Sequence, residues 1–221
     1  LDCFHATYGR PLGPCPPTVH TLHDLFMLHF PEKYSSAMKL YHRIAVERGT
    51  RQASRVIAVS EATKRDAMEF LDVPGEQITV VPHGVDTEKF RPFDPARDQP
   101  EAFRARHGLP ERYVLHLGGF SPLKNTVRIV EAFARMAKQE PGEDITLVFA
   151  GRCDQMYGET QLAVERHGLQ ARVHFTDYFP GEDLPELLRH ANALIYPSLI
   201  EGFGLPLLEA QASGTPVITS D

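Results

Sequence analysis

The sequence predicts an α/β fold with mainly parallel β-sheets. Over 221 residues, short apolar runs alternate with longer amphipathic segments, a pattern typical of repeated βα units. A stretch rich in proline and glycine, Pro82 to Pro95, ends one series of such units before another begins at Tyr113, as expected where two domains are joined. The hydrophobic fraction of 42% is that of a globular chain with a real core.

Each element follows from its local pattern. Strands are predicted from short apolar runs, in order at Thr18 to Leu22, Arg55 to Val59, Gln77 to Val81, Tyr113 to Leu117, Ile145 to Ala150, Arg172 to Phe175, Ala193 to Tyr196 and Pro216 to Thr219. Helices are predicted from amphipathic segments, in order at Glu32 to Arg48, Glu61 to Phe70, Glu101 to His107, Asn125 to Lys138, Gln155 to His167, Leu184 to His190 and Leu205 to Ser213. Ser60 and Asp183 directly precede two of these helices and are predicted N-caps.

The most informative motif lies near the C-terminus, where Glu201 and Glu209 flank a glycine turn. Gly202 and Gly204 allow backbone angles closed to other residues and let a ligand approach the main chain. Pro206 suits the first turn of a helix, whose free N–H groups and positive dipole end would face the glycine turn and bind an anion. Taken singly, either glutamate is more commonly a solvated surface charge.

The whole motif, Glu201-Gly202-Phe203-Gly204-Leu205-Pro206 followed by Glu209, resembles the Glu-x7-Glu signature of the retaining nucleotide-sugar glycosyltransferases of family 4, or glycosyl transferases group 1. The segment Ala210 to Ile218 also resembles the family's helix, glycine stop and next strand. This resemblance implies the GT-B architecture of two Rossmann-like domains, both incomplete in a chain truncated at both ends. Residues 1–82 would be part of the acceptor-side domain, 83–100 the inter-domain linker and 101–221 part of the donor-binding domain.

A second candidate segment is the turn after the predicted strand Tyr113 to Leu117. Gly119 and Lys124 stand between this strand and a helix, an arrangement suited to phosphate. Alone it is a weak signal, because such turns often occur without ligands. In the resembled family, however, the lysine of this loop grips the donor diphosphate. Many members also carry an arginine shortly before that lysine, where this chain has only Phe120, Ser121 and Leu123.

Further donor-site candidates follow other strands at the same expected sheet edge. Arg152 could face phosphate or solvent. Tyr178 lies in a segment that resembles the family's base-holding segment, although its ring could equally serve packing. The predicted donor-binding set comprises Gly119, Lys124, Arg152, Tyr178, Gly202, Phe203, Gly204, Leu205 and Glu209.

The resemblance also implies catalytic roles. Glu201 would contact the donor sugar, Glu209 the ribose hydroxyls, and His23 would lie near the transferred sugar, although a lone histidine is more often structural. Breaking the bond to the nucleoside diphosphate leaves a cation-like sugar and an anionic leaving group, which N–H groups and Lys124 would stabilise. Retention is implied by the family alone. A nucleophilic role for Glu201 stays open, because front-face attack assisted by the leaving phosphate needs no enzyme nucleophile.

The implied function is therefore transfer of a hexose from a nucleotide-diphosphate sugar to a glycan or lipid-linked acceptor. Resemblance over Val80 to Phe90 and Val114 to Phe133 favours mannose. Two alternatives stay open. One is another GT-B enzyme, a sugar-nucleotide epimerase or a glycan phosphorylase, although Lys124 does not lie in a recognisable context for the PLP lysine of a phosphorylase. The other is a non-catalytic nucleotide-binding fragment.

Composition excludes several other classes. A net charge of −6 argues against nucleic acid as the main partner. Cys3, Cys15 and Cys153 form no CxxC pair, so neither a disulfide framework nor a zinc site is indicated. No Asp-x-Asp pair is present to hold Mg²⁺, and no cofactor is expected. No apolar run approaches the roughly 18 residues of a membrane span. We expect a cytoplasmic protein, with peripheral membrane association through a missing N-terminal part left open.

Overall fold

The computed structural model describes residues 2–9, 16–140 and 142–220. It divides into two compact units, each built around a parallel sheet. The first unit comprises Leu1–Gly84 and Ile200–Gly204, and the second comprises Val85–Leu199 and Leu205–Asp221. The α/β class with parallel sheets is therefore confirmed. Cys15 lies outside the described residues, and the thiols of Cys3 and Cys153 are free and exposed.

The sheet of the first unit has its described strands in the order β1-β2-β3-β4, all parallel. These strands are β1 (Phe4–Ala6), β2 (Thr18–Leu22), β3 (Arg55–Ala58) and β4 (Ile78–Val80). The core on this sheet includes Leu22, Val56 and Ala58, each at most 1% exposed. β1 was not predicted, because it is three residues long and of these only Ala6 is buried, so it leaves no periodic pattern.

The helices of the first unit are α1 (Phe26–His29), α2 (Ser36–Tyr41), α3 (Arg48–Arg51) and α4 (Glu61–Leu71), with a π turn at His42–Glu47 and 3₁₀ turns at Pro31–Lys33 and Gly75–Gln77. The continuous helix predicted from Glu32 to Arg48 is wrong. Tyr34 is extended, and Ser35 starts a new helix by accepting a hydrogen bond from the Met38 N–H at 3.3 Å. The predicted cap at Ser60 is confirmed, because its Oγ accepts from the Thr63 N–H at 3.1 Å.

The second unit holds described strands in the parallel order β7-β6-β5-β8-β9. The strands are β5 (Tyr113–Leu117), β6 (Thr146–Ala150), β7 (Val173–Phe175), β8 (Ala193–Tyr196) and β9 (Val217–Thr219). The helices are α5 (Pro100–His107), α6 (Thr126–Gln139), α7 (Tyr157–Arg166), α8 (Leu184–Arg189) and α9 (Leu205–Ala212), with a 3₁₀ turn at Pro122–Lys124. Their order makes the loops after neighbouring strands meet at one sheet edge.

The predicted cap at Asp183 is wrong. Its backbone is helical (φ −89°, ψ −8°), whereas a capping residue is typically extended. Its carboxylate instead pairs with Arg106 at 3.0 Å and His107 at 3.1 Å. Asp183 therefore links α8 to α5.

The predicted linker residues belong to the second unit from Val85 onward. Phe90 is 6% exposed in its core. Asp98 accepts two hydrogen bonds from Arg91, at 3.0 and 2.8 Å, and one from Arg189 at 3.0 Å. The proposed boundaries 1–82, 83–100 and 101–221 stay predictions. No helix among the described residues is long and apolar enough to cross a membrane.

Candidate active site

The turn after β5 brings Lys124 to the carboxyl edge of the second unit's sheet. Gly118, with φ +136°, lets the chain leave β5, and the 3₁₀ turn Pro122–Lys124 leads to Asn125 and then α6. The Lys124 ammonium donates a hydrogen bond to the Tyr196 hydroxyl at 2.5 Å and lies 4.6 Å from the centroid of its ring. The last residue of β8 therefore holds the lysine that the sequence analysis assigned to phosphate.

Two further bonds join the same loops. The Asn125 side-chain amide donates to the Pro197 carbonyl at 3.2 Å, and the Leu199 N–H donates to the Leu123 carbonyl at 2.8 Å. These bonds tie the residues on either side of Lys124, Leu123 and Asn125, to the loop after β8. They therefore fix the position of the Lys124 backbone. Phe120 lies in an aromatic cluster, 1% exposed, against Phe149. It cannot replace an arginine at a phosphate.

Glycine is required where the turns after β5 and β6 meet. The Gly118 N–H donates to the Ala150 carbonyl at 2.9 Å. A Cβ on Gly151 would overlap the Gly118 carbonyl, and one on Gly119 would lie 2.6 Å from an Asp154 carboxylate oxygen. Burial raises the pKa of Asp154, against the effect of a hydrogen bond from the Phe120 N–H. These loops therefore approach too closely for a side chain at Gly119 or Gly151.

The turns after β6 and β7 bring Arg152 and Tyr178 together. The guanidinium of Arg152 lies 5.8 Å from the Tyr178 ring, which is 66% exposed. Asp177 has φ +59°, and its carbonyl accepts from the Gly151 N–H at 2.9 Å. Its carboxylate accepts from the Cys153 thiol at 2.7 Å. Partial desolvation of the thiol, together with this bond and the Asp177 charge, raises the pKa of Cys153 to about 11, so the thiol stays protonated although the residue is exposed overall.

Helix α9 begins at Leu205, as predicted, directly after Gly204 with φ +85°. Its N-terminus therefore follows a glycine turn, as the anion-site prediction requires. Burial raises the pKa of Glu209, which lies on this helix, and the charge of Lys89 acts in the opposite direction.

In the first unit, the Glu201 segment lies against the ends of β2 and α4. A Cβ on Gly202 would overlap the His23 carbonyl; close approach, and not a positive φ, is why glycine is needed there. The Thr63 hydroxyl lies 3.3 Å from both the Gly202 and the His23 carbonyls. The Phe203 ring packs edge-on against His83.

His23 is held at the end of β2. Its Nε2 lies 2.8 Å from the Thr7 carbonyl, and its ring stacks on His83 with centroids 5.4 Å apart. Burial raises the pKa of the adjacent Asp24, and the negative charge of Glu201 adds to this effect. The first unit therefore gathers two imidazoles and two carboxylates around the predicted sugar-contacting segment.

Sequence reasoning missed His83, Thr63 and Tyr196. His83 follows β4 as His23 follows β2, so its position at a strand end was a usable signal, but it was assigned to the linker. Tyr196 ends a predicted strand and carried no motif. One sheet edge of the second unit holds four of the predicted donor-binding residues, Gly119, Lys124, Arg152 and Tyr178.

No group of three or more His, Cys, Asp or Glu side chains able to hold a metal occurs in the described part of the chain. The roles assigned to His23, Glu201, Glu209 and the donor-binding residues stay predictions.

The model of the glycosyl transferases group 1 family matches residues 99–221, and that of glycosyltransferase family 4 matches residues 1–89. The D-inositol 3-phosphate glycosyltransferase of Nocardia farcinica is 33% identical over 223 residues, which cover 93% of this chain and 46% of that protein. The O-antigen chain mannosyltransferase B of Escherichia coli is 26% identical and covers 92% of this chain and 52% of that protein.

Among solved structures, Anabaena HepE in complex with UDP-glucose matches with a TM-score of 0.73 and 28% identity, over 92% of this chain and 53% of that one. This similarity to a GT-B structure confirms the predicted fold class. The chain spans about half the length of the curated relatives it matches. Because the group 1 model alone covers more than half of the chain, the chain belongs to the glycosyl transferases group 1 family.

Proposed function

We propose that this chain is part of a retaining glycosyltransferase that transfers a hexose, mannose, from a nucleotide-diphosphate sugar to a glycan or lipid-linked acceptor. The observation that carries the proposal is Lys124, held by Tyr196 at the glycine turn after β5. Family membership supports it, as do relatives named as mannosyltransferases and the HepE structure with UDP-glucose.

Donor binding is assigned to the second unit. Lys124 and the N–H groups of the Gly119 turn would bind the diphosphate, because a lysine beside backbone donors suits a dianionic group. Glu209, on α9, would accept hydrogen bonds from the ribose hydroxyls. Arg152 and Tyr178 would border the base.

Sugar transfer is assigned to Glu201 and His23. As the bond to the diphosphate breaks, positive charge develops on the sugar and negative charge on the leaving group. A carboxylate near the sugar and cationic or N–H donors near the phosphates stabilise both charges. Glu201, with Gly202 and Phe203, would contact the donor sugar, and His23 would lie beside it.

The proposal includes no metal and no other cofactor. A lysine and a helix N-terminus would supply the positive potential that Mg²⁺ provides elsewhere. Transfer activity that survives EDTA would agree with this part of the proposal, and activity that returns only when Mg²⁺ is added would contradict it.

The acceptor and location form a separate part of the proposal. We assign a glycan or lipid-linked acceptor and a cytoplasmic location, with peripheral membrane association where the acceptor is lipid-linked. Fractionation of cells producing the complete protein tests the location. Appearance in the culture medium would contradict it.

The main test is a screen of nucleotide sugars on the complete protein. Thermal shift with GDP-mannose, UDP-glucose and their free nucleotides identifies the donor, and anomeric analysis of the transfer product identifies the stereochemistry. We expect stabilisation by one nucleotide sugar and a product with retained configuration. Interconversion of the free nucleotide sugar would indicate an epimerase, and binding without any turnover would indicate a non-catalytic nucleotide-binding protein.

A further inference from the structure

A stacked pair of buried rings lies beneath the Lys124 ammonium in the second unit. Tyr196, at the end of β8, is 3% exposed, and its hydroxyl accepts a hydrogen bond from Lys124 at 2.5 Å. The ammonium also lies 4.6 Å from the ring centroid, within the range of a cation–π contact. The Tyr196 ring also stacks against His116 of β5, with centroids 5.9 Å apart and planes inclined by 23°.

His116 is fixed in one neutral form. It is fully buried, and its Nδ1 lies 3.0 Å from the Ile195 carbonyl, so Nδ1 carries the hydrogen and donates it. Its Nε2 has no hydrogen-bond partner among the described residues. Burial, with a smaller contribution from the Lys124 charge, lowers the pKa of His116 to about 4, although the hydrogen bond to the Ile195 carbonyl acts in the opposite direction. A neutral imidazole therefore supports the Tyr196 ring without adding positive charge under the ammonium.

We infer that Tyr196 is a positioning residue: it holds the Lys124 ammonium at the glycine turn where the donor diphosphate binds. This inference rests on the proposed donor site. An unrestrained lysine side chain has four rotatable bonds and loses much rotamer freedom on binding. The Tyr196 hydroxyl accepts one N–H of the ammonium, and the Tyr196 ring attracts its positive charge. Both contacts restrain the lysine side chain before the ligand arrives. Donation to Tyr196 uses one of the three N–H donors of the ammonium, so this hydrogen bond does not by itself prevent a contact with phosphate.

The test is a double-mutant cycle in the complete protein. Calorimetry compares wild type, Tyr196→Phe, Lys124→Met and the double variant with UDP and GDP, and with uridine and guanosine as ligands without phosphate. Tyr196→Phe removes the hydroxyl and keeps the ring. The matched control is Tyr113→Phe: Tyr113 is fully buried at the opposite end of β5, and its hydroxyl donates to the Leu187 carbonyl at 2.7 Å. Both tyrosine variants then lose one buried hydroxyl bond, at opposite ends of the sheet.

We expect Tyr196→Phe to weaken binding of the nucleoside diphosphate about three- to tenfold, the range for one lost hydrogen bond. Nucleoside affinity should not change. In the Lys124→Met background the same substitution should have no further effect. Tyr113→Phe should lower the unfolding temperature and leave diphosphate affinity unchanged.

Two outcomes would overturn the inference while leaving the proposed function intact. One is wild-type diphosphate affinity in Tyr196→Phe alongside a clear loss in Lys124→Met. The other is an equal loss from Tyr196→Phe with and without Lys124, which indicates a general structural effect. If wild type binds neither nucleoside diphosphate, the proposed donor site is wrong, and the inference is wrong with it.

Discussion

Replacing Asp98 with Asn should loosen the segment 85–99 from the second unit. The Asp98 carboxylate and the Arg189 side chain are each only 4% exposed, and they pair at 3.0 Å. Asp98 accepts four hydrogen bonds in all, two from Arg91, one from Arg189 and one from the Asp94 N–H. The change removes the negative charge of Asp98 and turns its amide N–H₂ group toward other donors. Arg189 then stays buried without its hydrogen-bonded carboxylate partner.

The expected cost follows from that geometry. Breaking one partner of a buried, hydrogen-bonded ion pair costs about 3 to 5 kcal/mol. The amide oxygen still accepts one bond, so we expect the free energy of unfolding of the second unit to fall by about 3 kcal/mol. Urea unfolding followed by far-UV circular dichroism measures it. The control is Glu101→Gln, because Glu101 pairs with Arg104 at 3.5 Å while 82% exposed, and such surface pairs contribute less than about 1 kcal/mol.

The pH dependence gives the same prediction a second test. The hydrogen bonds from Arg91 lower the pKa of Asp98 from 3.8 to about 2. A carboxyl whose pKa is lower when folded stabilises the fold above its unfolded pKa, and this stabilisation is lost as pH falls toward the folded pKa. The difference between wild type and Asp98→Asn should therefore be constant above about pH 5 and narrow between pH 4 and 2. A loss below about 1 kcal/mol at pH 7, or a difference that does not depend on pH, would show that the Asp98 carboxylate does not stabilise the second unit through this ion pair.

Two further substitutions test the donor-side turns. Lys124→Ala should weaken nucleoside diphosphate binding about ten- to a hundredfold through loss of a charge-assisted contact. Lys138→Ala, at an exposed position near the end of α6, should leave it unchanged, and equal affinities of Lys124→Ala and wild type by calorimetry would rule out the phosphate role. Gly151→Ala should destabilise the second unit and weaken nucleotide binding, because its Cβ would overlap the Gly118 carbonyl; Gly158→Ala, with open space around the Cβ, should be tolerated. Thermal unfolding at wild-type temperature in Gly151→Ala would show that the turn relaxes easily.

Much of the fold could be predicted from sequence because its elements are local and periodic. The βα units of the second unit were placed within two residues, since strands such as β6 are continuous apolar runs and helices such as α6 have one apolar face. Between Glu32 and Arg48 the same reasoning failed. The spacing of apolar residues there is that of a helix, but Ser35 caps a new helix and a π turn follows α2. The spacing of apolar residues does not reveal either irregularity.

The candidate site, too, could be predicted only in part from the sequence. Lys124 and the segment Glu201 to Glu209 could be proposed from sequence because each carries a local motif, and their roles stay predictions. Tyr196 lies 72 residues from Lys124 in sequence, and only the strand order of the folded sheet brings β8 beside β5. His83 was missed because a histidine after a short strand looks like linker until the His23 ring is placed against it.

The most direct test of the account compares the two glutamates in the complete enzyme. Steady-state kinetics with the donor sugar, together with inhibition constants for the free nucleotide, are measured for Glu201→Gln and Glu209→Gln. If Glu201 meets charge that develops only as the sugar bond breaks, its substitution should lower kcat about a hundredfold or more and leave nucleotide inhibition near wild type. Glu209→Gln should weaken donor and free nucleotide alike, by about tenfold. Near-wild-type turnover in Glu201→Gln, or loss of nucleotide affinity alone in both variants, would contradict the assignment of these carboxylates to sugar transfer and ribose binding.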